Sequence, residues 1–110
     1  MTATQWPTSQ WPEGVATEVT EYDHPLCSLL DEAASRYPEA IYTIFRNTTQ
    51  SFAEVRTAAD RVAGFLSAHG IQKGDRVALS LPNIPQYPVI FFGILKAGAA
   101  VVPLSVLLKR

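Results

Sequence analysis

The sequence has 110 residues, 47% of them apolar and 17% charged, with a formal net charge of −1. That length allows at most one domain with a modest core, since a chain of this size buries about two thirds of its unfolded surface. Near-neutral charge with scattered Lys and Arg excludes the electrostatic footprint of a DNA- or RNA-binding module, and the apolar content excludes a disordered chain.

Residues 1–22 read as an irregular N-terminal segment. The triplet Gln-Trp-Pro occurs twice, ending at Pro7 and Pro12. Each proline pushes the tryptophan before it into an extended conformation. Two copies are too few for a repeat-based ligand, and the expectation is a tail whose rings dock on a neighbouring surface. Met1–Gln10 lacks the basic and apolar regions of a secretory signal. The lone Cys27 cannot form an internal disulfide, so the expected setting is the reducing cytoplasm.

"DHPLCSLLDEAASRYPEA" predicts a first helix. Asp23 is the expected N-cap, Pro25 suits the first turn, and Pro38 ends the helix. Leu26, Leu29, Leu30 and Ala33 form its apolar stripe. Ala40 to Phe45 is a β-rich run. "RNTTQ" follows as a turn with Asn47 as its turn residue.

Ser51 and Glu54 make the S-x-x-E capping box of a second helix. Phe52, Val55, Ala59, Val62 and Leu66 repeat at spacings of 3 and 4, with Ala58 and Phe65 widening the stripe. His69 lies in the last turn, and Gly70 is the expected terminator. Gly64 costs about 1 kcal/mol against Ala in mid-helix, which close packing there would explain.

Lys73–Asp75 reads as a turn, Arg76–Leu81 as a strand, and Asn83 as the N-cap of a third helix with Gln86 as its box partner. Pro88 is awkward inside that helix. "VIFFGIL" is apolar all round and calls for burial on several sides. Gly98 closes the helix, and "AAVVPL" is a second strand. Strand, buried helix and strand make a βαβ unit of a parallel sheet. The fold class is therefore α/β, built of layered βαβ units.

Little chemistry is visible. The turn after the first parallel strand, "LPNIPQYP", is neither a G-x-G-x-x-G loop nor a P-loop. His24 and Cys27 share a turn, with only His69 to join them, and a metal site needs three or four ligands. Ser80 and Ser105 lack elbow glycines. Asp31, Glu32, Glu54 and Asp60 read as solvated helix faces. Tyr87–Leu108 is long enough to span a bilayer. However, Pro88, Gly98 and Pro103 punctuate it, and Lys96 at its middle would cost about 2.5–3.5 kcal/mol.

Four stretches carry a resemblance: "WPEGV", "SFAEV", "GIQKGDRVALSLPN" and "FFGILKAGAAVVPL". In that order and spacing the chain resembles the N-terminal portion of AMP-forming acyl-CoA ligases of the acyl-adenylating superfamily, over residues 11–107. The apolar helix and "WPEGV" tilt the resemblance towards fatty-acid ligases. It implies that residues 23–110 are part of the large AMP-binding N-terminal domain. It further implies a parent enzyme that joins a carboxylic acid to coenzyme A through an acyl-adenylate, with ATP, Mg2+ and coenzyme A. The family's phosphate loop, ribose-holding acids and lid lysine have no match in these 110 residues. No catalytic, cofactor-binding or metal residue is carried over, and none of these ligands is expected to bind this chain alone. Pro82 and Asn83 are the positions to watch, because α/β sheets bind ligands at the C-terminal ends of their strands.

The expected function is thus a scaffold fragment of a fatty-acid–CoA ligase, inactive alone and prone to aggregate through uncovered apolar surface. The alternatives are a stand-alone complementing module, pairing through the sheet edge at Val101–Val102 with the remainder of a ligase, and a small membrane-anchored protein.

Overall fold

The computed structural model describes residues 7–16, 18 and 21–108. The first Gln-Trp-Pro triplet, apart from Pro7, lies outside them. A short 3-10 turn at Thr8–Gln10 leads to Trp11, which is extended (φ −78°, ψ 143°) and 40% exposed. Trp11 has the backbone that its proline dictates.

Helix α1 spans Ser28–Arg36 and starts later than the sequence suggests. Asp23 is not its cap. Ser28 N–H donates to Pro25 C=O and Leu29 N–H to Leu26 C=O, so a turn starting at Pro25 feeds the helix directly. Its inward face is correspondingly rotated. Leu30 and Ala34 are buried, while Leu26 and Leu29 stay exposed. Tyr37 closes the helix, with its N–H on Ala33 C=O, and Pro38 prevents continuation.

Strands β1 (Ile41–Phe45) and β2 (Thr48–Ser51) form an antiparallel hairpin. The second strand lies within the segment expected to be a turn; its paired threonines carry the β-branched preference. Phe45 pairs with Thr48, leaving a two-residue loop, and Arg46, rather than Asn47, takes the positive φ of 55°. The Arg46 guanidinium lies 5.5 Å from the Phe45 ring centre. The register shifts between Ile41 and Thr43, as at a β-bulge.

Helix α2 (Phe52–Ala68) begins at Ser51, whose hydroxyl oxygen accepts from Glu54 N–H at 3.1 Å. The Glu54 carboxylate accepts from the same hydroxyl at 3.2 Å. The helix ends in a Schellman motif. Ile71 N–H reaches Leu66 C=O, Gly70 N–H reaches Ser67 C=O, and Gly70 sits at φ 91°. The third helix, α3 (Gln86–Lys96), ends the same way. Ala99 N–H reaches Ile94 C=O, Gly98 N–H reaches Leu95 C=O, and Gly98 sits at φ 84°. In both motifs the residue past the glycine packs in one cluster with its helix partner, Ile71 with Leu66 and Ala99 with Ile94.

Between the two motifs, β3 (Arg76–Leu79) and β4 (Ala100–Pro103) pair in parallel, in register from Arg76↔Ala100 to Leu79↔Pro103. The expected βαβ unit is present. Pro88 is third in α3, where its missing N–H would have no helical partner anyway. Every residue from Tyr87 to Ala97 is buried or half-buried, as the all-round apolar pattern requires.

Two apolar clusters hold these layers. One joins Leu30, Val55 and Ala59, with Tyr42, Phe52, Val89 and Phe92 against them. The other joins Leu79, Ile94 and Ala99 under the sheet. They meet where α2 crosses α3. A Cβ at Gly93 would lie 2.5 Å from Val62 Cγ1 and 3.1 Å from Ala59 O. Close packing therefore explains Gly93, while a Cβ at Gly64 would meet nothing within 4 Å. Lys96 adds a polar tie across three helices. Its Nζ donates to Asp31 Oδ1 and Asp60 Oδ1, each at 2.6 Å, with the lysine side chain only 12% exposed. Burial alone would lower its pKa, but the hydrogen bonds and charges of the two carboxylates outweigh that and raise it.

Two predictions follow from this packing. Gly64→Ala should stabilise the chain by up to about 1 kcal/mol in urea unfolding. Gly93→Ala should destabilise it by about 1–3 kcal/mol, with partial recovery on adding Val62→Ala. Equal effects at the two glycines would contradict the packing described. For Lys96→Met the expected loss is about 1 kcal/mol at low ionic strength, shrinking in high salt because both partner carboxylates are half-exposed. A raised lysine pKa means this contribution is complete at neutral pH and fades only as pH climbs past the ordinary lysine range. Melting curves of both proteins across pH 7–11 check the sign.

Candidate functional site

The C-terminal end of β3 delivers the chain into Ser80–Pro85. Ile84 N–H donates to Pro82 C=O at 2.9 Å, and Tyr87 N–H to Ile84 C=O at 3.0 Å. Helix α3 then starts after Pro85, with no side-chain cap. Asn83 is therefore not a helix cap, and Gln86 is not its box partner. The turn residues Pro82 and Asn83 are both exposed.

Instead, Asn83 lines an open hollow of about 350 Å³ between β1 and the start of α3. Tyr42, Thr43 and Phe45 form one wall; Asn83, Ile84 and Tyr87 form the other. The shifted hairpin register places Tyr42 between two roles. Its ring packs against Phe52, centroids 4.7 Å apart, and on the Leu30 cluster, while it also faces the hollow. Burial raises the Tyr42 phenol pKa, which keeps it a neutral donor. Thr43 Oγ1 donates to Gln50 Oε1 at 3.2 Å, tying that wall to β2.

The hollow can receive flat or apolar groups and offer amide and hydroxyl hydrogen bonds. Its walls carry no Lys, Arg, Asp, Glu or His. ATP phosphates and Mg2+ therefore find no matching donor set in it. Among the described residues no three His, Cys, Asp or Glu side chains come together as a metal group. His24 sits edge-on to Tyr22, centroids 5.3 Å apart, and His69 Nδ1 lies 2.8 Å from Phe65 C=O. Cys27 is a half-buried free thiol. Asp31 and Asp60, expected on solvated faces, are the partners of Lys96. Sequence reasoning missed the wall from β1, because only the tertiary fold brings Tyr42–Phe45 against Asn83.

The family model described as "AMP-binding enzyme" matches residues 30–110. A long-chain-fatty-acid–CoA ligase of Bacillus subtilis (strain 168) is 36% identical over 94 residues, covering 86% of this chain and 17% of the relative. Triostin synthetase I of Streptomyces triostinicus is 36% identical over 93 residues, covering 81% and 18%. Among solved structures, the Mycobacterium tuberculosis fatty acyl CoA synthetase aligns with a TM-score of 0.70 at 33% identity, over 74% of this chain and 17% of that one. The chain thus spans about a sixth of the length of these relatives.

The site makes a contrast that stability measurements can read. Asn83→Ala should change the melting free energy by less than about 0.5 kcal/mol, as for a surface residue without a capping role. Ser51→Ala should cost about 1 kcal/mol, because it removes a real N-cap. A cost at Asn83 equal to that at Ser51 would restore the capping assignment.

Proposed function

The chain belongs to the AMP-binding enzyme family, and from that premise we propose that it forms the opening scaffold of a fatty-acid–CoA ligase. The reaction is the ATP-dependent activation of a carboxylate to an acyl-adenylate, with loss of pyrophosphate, followed by thiol attack of coenzyme A to give the thioester and AMP. The observation that carries this is the 36% identity to a fatty-acid–CoA ligase across 86% of the chain. Family membership implies ATP use; Mg2+ and coenzyme A belong to the proposal.

The role of these residues is architectural. Carboxylate meeting triphosphate is a problem of concentrated negative charge, solved by cations and fixed donors. The hollow at Asn83 holds none of these, and the phosphate loop and lid lysine have no match in the sequence. What the chain supplies is a parallel βαβ layer and a shaped wall at its C-terminal end, where α/β sheets receive ligands. Exposed Ile44, Leu107 and Leu108 (73%, 82% and 69%) support a surface that further polypeptide covers. The unpaired Cys27 supports a cytoplasmic setting. The membrane-anchored alternative loses its support: among the described residues no helix is long and apolar enough to cross a bilayer, and α3 has 11 residues where about 20 are needed.

Equal identity to Triostin synthetase I favours a second reading, in which the same scaffold serves adenylation of another acid. A chimera decides between them. Residues 1–110 replace the matching segment of the Bacillus subtilis ligase, and acyl-CoA formation is followed over a panel of fatty, aryl and amino acids. The ligase reading expects fatty-acid-dependent product within about tenfold of the parent. A folded chimera without fatty-acid turnover would contradict it, and turnover of another acid class would establish the second reading.

A further inference from the structure

The hollow at Asn83 is neutral inside, and a single charge stands at its edge. Its walls come from two stretches of chain, residues 40–53 and 77–95. Together these stretches carry one charged residue, Arg46. Arg46 takes the positive φ of the hairpin turn directly after Phe45, which lines the hollow. Its guanidinium lies 5.5 Å from the Phe45 ring centre, within cation–π range. Arg46 is exposed, and among the described residues no carboxylate pairs with it.

These features narrow what the hollow can receive. Its volume of about 350 Å³ falls in the range of small-molecule sites, which begins near 300 Å³. Phe45, Ile84, Pro85 and Tyr87 offer it apolar surface, and the last three are half-buried. Asn83, exposed and capping no helix, is the one amide side chain in the walls. A ligand with several phosphates needs several cations or fixed donors, and one arginine does not provide them. A wholly neutral ligand would leave that arginine unused. What matches is one negative charge joined to an apolar body.

We propose that the hollow binds a fatty-acid anion, with its alkyl chain between Phe45 and the Ile84–Tyr87 wall and its carboxylate towards Arg46. The choice of an alkyl carboxylate rests on the ligase reading above; the site rests on the hollow and its one cation.

NMR titration of the isotope-labelled 110-residue chain with monomeric decanoate tests it, with decanol as the uncharged probe. Decanoate should shift the amides of Phe45, Arg46, Asn83 and Ile84 saturably. Arg46→Gln should weaken decanoate binding about fivefold, the size of an exposed ion pair, and leave decanol unchanged. Arg46→Lys should retain most of the affinity. Asn83→Asp, which puts a like charge in the wall, should weaken decanoate and spare decanol. Arg76→Gln removes an exposed cation elsewhere and should change neither. Equal losses for the two probes in Arg46→Gln, or shifts centred on residues 104–108, overturn the proposal. Binding to phosphatidylglycerol vesicles without binding of monomeric decanoate also overturns it, in favour of a bilayer contact.

The folded chimera supplies the last check, read at the Ile84 methyl group. Decanoate binding that is lost there would show that polypeptide fills the hollow, and would overturn the proposal. An active chimera without this binding sinks this proposal alone. An inactive chimera that still binds decanoate at Ile84 keeps the site and sinks the ligase reading.

Discussion

The close approach of α2 and α3 at Gly93 is the constraint on which the rest of the structure depends. With no Cβ at that position, Val62 and the Ala59 carbonyl sit directly against the α3 backbone. That contact brings the Val55–Ala59 cluster and the Ile94 cluster into one body. It also fixes where α3 delivers the chain to β4. Gly98 completes the geometry: its carbonyl accepts from Gly74 N–H at 3.0 Å, and a Cβ there would lie 3.3 Å from Lys73 Cα. The two Schellman ends thus aim β3 and β4 side by side.

Magnitudes decide which forces matter. Fully burying a side chain such as Val55 or Ile94 is worth about 1.5–3 kcal/mol. Each Lys96 ion pair, with a half-exposed carboxylate, is worth at most about 1 kcal/mol. Packing therefore supplies stability. The lysine supplies position, because one ammonium can satisfy Asp31 and Asp60 together only when α1, α2 and α3 stand in one arrangement. The same residue that argues against a bilayer span is the one that orders the helices.

Much of this fold was legible in the sequence wherever the signal was local. The Ser51–Glu54 box, the stripe from Phe52 to Leu66, the terminators Gly70 and Gly98 and the βαβ unit all follow from nearest-neighbour rules. The errors have a common physical origin. Gly64 and Gly93 look alike in one dimension, and only the helix crossing distinguishes them. Asp23 and Asn83 have capping chemistry, but turns starting at Pro25 and Ile84 feed the helices without it. Strand β2 was missed because turn-like Asn47 outweighed the β-branched pair behind it. Half of the hollow was legible too, at Asn83; its other wall, Tyr42–Phe45, reaches it only through the hairpin's packing on α2.

The chain belongs to the AMP-binding enzyme family and spans about a sixth of the length of its relatives. Under the proposed function its part is a scaffold with a shaped wall, and the charge-handling groups lie elsewhere. The most direct measurement is fatty-acid-dependent pyrophosphate release from ATP and Mg2+ by the folded 110-residue chain alone. The account predicts no release above the uncatalysed rate at any fatty-acid concentration. Saturable, fatty-acid-dependent release would contradict it, because it would place the phosphate-handling groups within these residues.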